Sequence, residues 1–227
     1  MKKILAIVLL CLTSSLTAQN TLGLNFQTFL PTGELKKDAP EIGGGGFAFE
    51  GIFRVKQSAL YAGGLIEYNH FGSKVRQGYH GPDLEDVRVK RNFETLKFMG
   101  IFRFKPNCGE GIYPYFDLLL GGGNVFTRTN IREAFFDKAF ESYLDMDQWV
   151  FMYGLGIGNE FLLSDFLILD VFVRTTKSAR IDYLSPNSVQ FNNSSNWYDL
   201  EVKSSAFEHI NFGVGLKLYF DELISTL

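Results

Sequence analysis

Eight segments of this chain alternate apolar and polar residues with a period of two, and this pattern constrains the fold more than any other feature. Each segment is about 10 to 16 residues long, is rich in Phe, Tyr, Val, Ile and Leu, and is bounded by Gly or polar clusters. We therefore predict an all-β chain. The predicted strands are 21–30, 44–53, 59–69, 92–104, 112–127, 148–162, 166–176 and 206–220.

The connections between these strands alternate between short and long. The short connections are 54–58, 105–110 and 163–165, and the long ones are 31–42, 72–91, 128–147 and 177–205. Single-chain outer-membrane barrels have an even number of strands, short periplasmic turns and long extracellular loops. We therefore predict an eight-stranded antiparallel up-and-down transmembrane β-barrel.

The two faces of the predicted strands differ in size and polarity. In the last strand, Phe212, Leu216 and Leu218 lie on one face, whereas Asn211 and Lys217 lie on the other. An eight-stranded barrel encloses room only for side chains or one small ligand, so the large aromatic residues would overfill it. The apolar faces are therefore predicted to contact lipid, and the charged, Gly-rich faces to line the lumen.

Ten charged residues fall on the predicted inward faces, five of each sign. Unpaired buried charges are costly, so equal numbers favour a lumen closed by its own ion pairs. The predicted lumen network consists of Glu50, Arg54, Glu67, Lys97, Arg103, Asp117, Glu160, Asp170, Arg174 and Lys217. The alternative is that these charges face water on the outside of a soluble barrel.

The N-terminus has the pattern of a secretory signal peptide. Lys2 and Lys3 precede an apolar run, 4–12, and the small residue Ala18 follows. The run is shorter than the roughly 20 apolar residues that span a bilayer. We predict a signal peptide at 1–18 and an outer-membrane β-barrel domain at 19–227, exported to the outer membrane of a Gram-negative bacterium.

Composition argues against several classes of function. A formal net charge of −3 gives no reason to expect nucleic acid, and three His and two Cys give no metal site or disulfide framework. We expect no metal, no cofactor and no enzyme activity. The Gly-x-Gly-x-Gly of 154–158 lacks the βαβ context of a dinucleotide loop, so we interpret it as relief of crowding within a barrel strand.

Two alternatives to a structural or interaction role remain open. One is a small passive pore. The other is a lipid-modifying enzyme at the barrel rim, in which His209 would act with Ser204, Ser205 or Glu208. Cys108, in a predicted turn, is interpreted as a bystander.

Two long loops carry a candidate partner surface. Its residues are Phe135, Phe136, Phe140, Tyr143, Trp197 and Tyr198. In the first of these loops six residues recur at spacings of three and four among polar residues, which predicts a short amphipathic helix at about 131–144. They are Phe135, Phe136, Ala139, Phe140, Tyr143 and Leu144. The alternative is that the same segment extends strands five and six as a hairpin.

Four features of the chain form one pattern, namely the exported start, the eight alternating strands, the Gly-rich segments 119–123 and 153–158, and the closing segment 212–220. In this pattern the chain resembles the small outer-membrane β-barrels of Bacteroidetes, which are grouped with PorT-like or OmpA-like barrel domains. The resemblance implies a role in the cell envelope, with outer-membrane lipids and an envelope or secretion protein as partners. In one departure, residues 221–227 follow the terminal aromatic Phe220.

Overall fold

A computed structural model describes residues 20–56, 58–78, 87–106, 111–132, 141–192 and 197–219. Its strands are β1 (Thr21–Pro31), β2 (Gly44–Arg54), β3 (Leu60–Gly78), β4 (Val87–Phe104), β5 (Ile112–Arg132), β6 (Glu141–Leu162), β7 (Leu167–Ser178), β8 (Arg180–Tyr183), β9 (Val189–Asn192), β10 (Trp197–Leu200), β11 (Lys203–Ala206) and β12 (His209–Tyr219). The eight long strands close into an antiparallel barrel in the order β1, β12, β7, β6, β5, β4, β3, β2. This confirms the predicted eight-stranded transmembrane barrel.

The strand connections are sorted by length as the sequence predicts. Three connections, after Arg54, Phe104 and Leu162, are short and lie at the periplasmic end. The remaining connections and the four short strands lie at the extracellular end, where the chain has the most room to add structure.

Four neighbouring strands of the barrel are much longer than the other four. β3 to β6 have 18 to 22 residues, whereas β1, β2, β7 and β12 have 11 or 12. The prediction of loops at 72–91 and 128–147 is therefore wrong for the described parts of both segments. Strand pairing continues there above the membrane, with inward side chains such as Val89 and Ile131 buried. The outward side chains of β4 and β5 change there from apolar to charged or amide residues, so the apolar alternation that marks a lipid-facing strand disappears.

The predicted helix at 131–144 is also wrong wherever the structure describes it. Ile131 pairs with Glu141 and Thr129 pairs with Tyr143 in an antiparallel hairpin, and 133–140 lie outside the described residues. A bulge at Thr127/Arg128 leaves Asp145 as an extra residue, so Tyr143 and Met146 point to the same face. The bulge thus produces a spacing of three within a strand.

The outer surface of the barrel is an apolar belt and the inner surface is polar, as predicted. The outward side chains of β6 illustrate the belt, since Trp149, Phe151 and Ile157 are 61–63% exposed. Glycines on the inner wall make room for large neighbours. A Cβ at Gly213, for example, would overlap the ring of Phe172.

The extracellular mouth is covered by two segments, which we call the cap. They are residues 32–43 and the described parts of 179–208, which are 179–192 and 197–208. The first contains a short helix, α1 (Gly33–Asp38). The second contains the two-stranded β8–β11 sheet, the β9–β10 hairpin and a 3-10 turn at Pro186–Ser188. Gly33 has a φ of +56° and lies where a Cβ would collide with the Glu208 carboxylate, so both backbone and space require glycine. No helix among the described residues is long and apolar enough to cross a membrane.

Candidate functional site

The periplasmic half of the lumen is filled by an ion-pair network that we call the plug. Its members are Glu50, Arg103, Asp117, Glu160, Asp170, Arg174 and Lys217, each at most 2% exposed. Lys217 is central because its Nζ contacts three carboxylates. These contacts are 2.6 Å to Glu50 Oε1, 2.8 Å to Glu160 Oε1 and 2.8 Å to Asp170 Oδ2.

The two arginines of the plug bridge carboxylates from different strands. Arg103 donates to both oxygens of Asp117, with Nε–Oδ1 and Nη2–Oδ2 distances of 2.7 and 2.9 Å, and its Nη1 lies 2.7 Å from Glu160 Oε1. Arg174 Nη2 donates to Glu50 Oε2 at 2.6 Å. Paired, hydrogen-bonded charges of this kind tolerate burial, whereas removal of one partner would leave a costly buried charge.

Tyr115 holds the plug from the side. Its hydroxyl donates to Asp170 Oδ1 at 2.8 Å, and the Arg103 guanidinium carbon lies 3.6 Å from the centre of its ring. The ring also lies over Gly158, where a Cβ would overlap it. The Gly-x-Gly-x-Gly segment therefore lies on the inner wall and makes room for plug side chains, in agreement with its interpretation as relief of crowding.

The structure brings together nine of the ten residues predicted for the lumen network. Seven form the plug, and Glu67 and Lys97 form a second pair nearer the mouth. Arg54 lies at the strand end instead, where its Nε donates to the Ser58 carbonyl at 2.9 Å. Lys105, assigned from sequence to a turn, contacts Glu160 Oε2 at 2.8 Å.

Above the plug, Lys97 and Glu67 form the centre of a smaller polar layer. Lys97 Nζ also lies 2.6 Å from His209 Nε2, and Glu67 Oε1 accepts from Asn69 and Asn211 at 2.6 and 2.9 Å. All five side chains are at most 2% exposed. This layer joins the charged plug to the apolar cap above it.

The base of the cap is an aromatic cluster that seals the mouth. Its members are Phe29, Phe71, Phe93, Tyr183, Phe207 and His209, all at most 1% exposed. Phe29 stacks on Phe71 and on His209 with ring centres 5.5 and 4.4 Å apart, and Phe207 meets Phe71 edge-on at 5.4 Å. Leu35 of α1 is fully buried in the same core.

Two carboxylates tie the two segments of the cap together at its surface. Glu34 Oε2 accepts from the Ala206 amide at 3.2 Å and pairs with Arg180 at 3.0 Å, contacts that lower the pKa of Glu34. Burial opposes ionisation of Glu41, but hydrogen bonds from Ser185 and from backbone amides outweigh it and hold the pKa of Glu41 below its usual range. Both carboxylates therefore bind their partners in the ionised form.

The residues considered for a rim enzyme face other groups. His209 contacts Lys97 and Phe29, Ser205 Oγ lies 3.1 Å from the Tyr183 hydroxyl, and Glu208 pairs with Lys177. Within the described ranges no group of three or more His, Cys, Asp or Glu side chains could hold a metal ion. Cys108 lies outside the described residues.

The candidate partner surface is described only in part. Tyr143 lies on β6 above the membrane and is 36% exposed. The backbones of Trp197 and Tyr198 pair with Asn192 and Phe191 in the β9–β10 hairpin. Phe135, Phe136 and Phe140 lie outside the described residues.

Two lumen residues, Tyr115 and Phe71, were missed by reasoning from sequence. Both point inward and are buried. Strand parity could have found Tyr115, because it lies two residues before the inward Asp117. Parity also places Asn211 on the same inner face as Lys217, as the structure shows.

Comparison with solved structures identifies the fold. Neisserial surface protein A (NspA) is 10% identical, with a TM-score of 0.52 over 88% of this chain and 97% of NspA. A major outer-membrane protein from Thermus thermophilus is 11% identical, with a TM-score of 0.48 over 90% and 100%, and OprG from Pseudomonas aeruginosa is 14% identical, with a TM-score of 0.40 over 89% and 97%. No family model matches the sequence, and no curated protein matches it. The chain has the fold of the small eight-stranded outer-membrane β-barrels.

Proposed function

We propose that this protein is a non-conducting, non-enzymatic component of a Gram-negative outer membrane that serves as a structural or interaction protein. The observation that carries the proposal is the closed lumen. The plug, the polar layer above it and the aromatic base of the cap fill its interior in succession. A barrel filled in this way offers its outer and extracellular surfaces for function, which argues against the passive pore.

The raised sheet supplies the surface for a partner. We use this name for the parts of β3 to β6 beyond the membrane, residues 72–78, 87–93, 127–132 and 141–147. Its backbone is ordered by continuous pairing from Gly72–Phe93 to Gly78–Val87 and from Arg128–Leu144 to Ile131–Glu141. A rigid platform of this kind loses little conformational entropy when it binds another protein.

The proposed partner is a protein of a secretion or assembly complex, as the PorT-like resemblance implies. Exported through a signal peptide at 1–18, the protein would present the raised sheet outside the cell. Tyr143 lies on the face of this sheet above the mouth and is the member of the predicted partner surface whose side chain the structure describes.

A photo-crosslinking amino acid at Tyr143 tests this proposal in native membranes. We expect a discrete adduct with one envelope protein after illumination. The same amino acid at Lys56, an exposed residue in a periplasmic turn, is the control and should not give that adduct. Identical adducts from both positions, or none from Tyr143 at native expression, would contradict an extracellular interaction role.

A further inference from the structure

The outer face of β5 changes from apolar to basic where the strand leaves the membrane. Its outward residues, in order, are Phe116, Leu118, Leu120, Gly122, Asn124, Phe126, Arg128, Asn130 and Arg132. β4 changes in the same way, and its outward side ends with Lys90 and Arg88 beside Asn130 and Arg132. Arg88, Lys90, Arg128 and Arg132 therefore form one outward-facing basic patch directly above the apolar belt.

The patch places like charges on adjacent strands. Lys90 lies diagonally between Arg128 and Arg132. Diagonal neighbours on a sheet lie about 7–8 Å apart, within reach of long side chains. A phosphate above Lys90 would therefore contact Lys90 and one of the two arginines, and it would offset the repulsion among these three cations.

Two carboxylates face the same way one row closer to the membrane. Glu94 and Asp147 both lie beside Phe126. Glu94 is buried, and its Oε1 lies 3.9 Å from His70 Nδ1. Both carboxylates lie closer to the membrane than Lys90 and Arg132, so the outward face around these two cations stays basic. The positive potential is therefore concentrated above the level of Phe126, on the lipid-facing side.

We propose that the basic patch binds the phosphorylated head group of an anionic glycolipid in the outer leaflet. Arg128 and Arg132 lie two and six residues beyond Phe126, about 7 and 20 Å along the strand, and because barrel strands tilt by about 40° they lie about 5 and 15 Å above the apolar belt. An ordinary phospholipid head-group layer is only about 5 to 8 Å thick. The height of the patch fits a larger, sugar-based head group with more than one phosphate, and the guanidinium fork suits phosphate oxygens.

Lipid binding by purified variants tests the proposal. The test variant is Lys90→Gln/Arg132→Gln, and the matched control is Lys36→Gln/Lys37→Gln, which removes two exposed cations from α1 in the cap. Each protein is reconstituted in neutral-lipid nanodiscs, and heat-modifiable gel mobility verifies folding. Native mass spectrometry then measures the affinity for a bisphosphorylated lipid A-type glycolipid and for the same molecule without phosphates.

We expect the natural protein to prefer the phosphorylated glycolipid by about tenfold, the gain from one strong charge-assisted contact. The Lys90→Gln/Arg132→Gln variant should lose most of this preference, and the cap control should keep it. Retention of the preference in the test variant, or equal loss in the control, would overturn the proposal. Displacement of the glycolipid by inorganic phosphate at about a thousandfold excess would also overturn it, because the site would then recognise free phosphate.

Discussion

The plug and the cap close the two ends of one lumen, yet they are built from different groups. The plug is a network of fixed charges contributed by barrel strands, with Lys217 bound to three carboxylates. The cap consists of connecting segments that rest on an aromatic core, in which Phe207 packs between Phe71 and Tyr183. We therefore expect the plug to contribute directly to the stability of the barrel, and the cap to open without loss of the barrel.

The largest effect on barrel stability should come from breaking the plug. Arg103→Met leaves Asp117 without its main partner and removes one of the three cations around Glu160, and loss of one member of a buried ion pair costs about 3–5 kcal/mol. Arg54→Met, at the strand end, should cost less than about 1 kcal/mol. Urea unfolding in detergent micelles measures both. Equal costs would mean that the plug charges are hydrated and contribute no more than surface charges.

A charge on the outer face should have the next largest effect. Leu216 faces outward at 52% exposure next to the inward Lys217, and arginine on the lipid face near the midplane costs about 2–4 kcal/mol. Val202→Arg, at a cap position of similar exposure (53%), should be nearly neutral. Unfolding in lipid vesicles separates the two variants. A neutral Leu216→Arg would contradict the assignment of this face to lipid.

Loss of the aromatic core should affect the cap alone. In Phe207→Ala the cap loses ring contacts with Phe29, Phe71 and Tyr183, so it opens locally while strand pairing persists. We expect new tryptic cleavage at Lys36, Lys37 and Lys203, and a change in barrel unfolding free energy below about 1 kcal/mol. Cooperative loss of the whole barrel would show instead that cap and plug form one unit.

The smallest effect should be a response of the cap to acid. The pKa values of Glu34 and Glu41 are lowered in the folded cap. Their contribution to the stability of the cap is therefore complete above the usual pKa of 4.5 and is lost as the pH falls through the lowered values. A spin label at Lys37 should therefore gain mobility below about pH 4.5. Glu34→Gln/Glu41→Gln should show mobility that does not change with pH. A natural protein whose label mobility is constant from pH 6 to 3 would contradict this linkage.

The membrane part of the fold could be predicted from sequence because lipid and lumen impose opposite chemistry on alternate residues. Leu216 and Lys217 illustrate the contrast, and most of the plug followed from the same parity. The extracellular part could not be predicted in this way. Above the membrane the outward faces of β4 and β5 carry charged and amide side chains in place of apolar ones, and the extra residue Asp145 in β6 breaks the period of two.

The cap and the basic patch depend on pairing that one sequence does not reveal. Phe207 and Phe29 are distant in the chain and meet only because β12 closes on β1. Likewise, the segment 72–91 has mixed charges in sequence, whereas the structure places Arg88 and Lys90 on the outer face beside Arg132. Register between strands, which brings these residues together, depends on contacts along the whole barrel.

Single-channel recording in planar bilayers tests the closed lumen most directly. The natural protein and Phe207→Ala should both give no stable current steps, because in the variant the plug closes the lumen without the cap. The double variant Arg103→Met/Phe207→Ala disturbs both the plug and the aromatic core of the cap. If any variant conducts, current should appear first in this one. Well-defined, long-lived open levels in the natural protein at neutral pH would contradict the account, since they require a continuous water path past Lys217 and its three carboxylates.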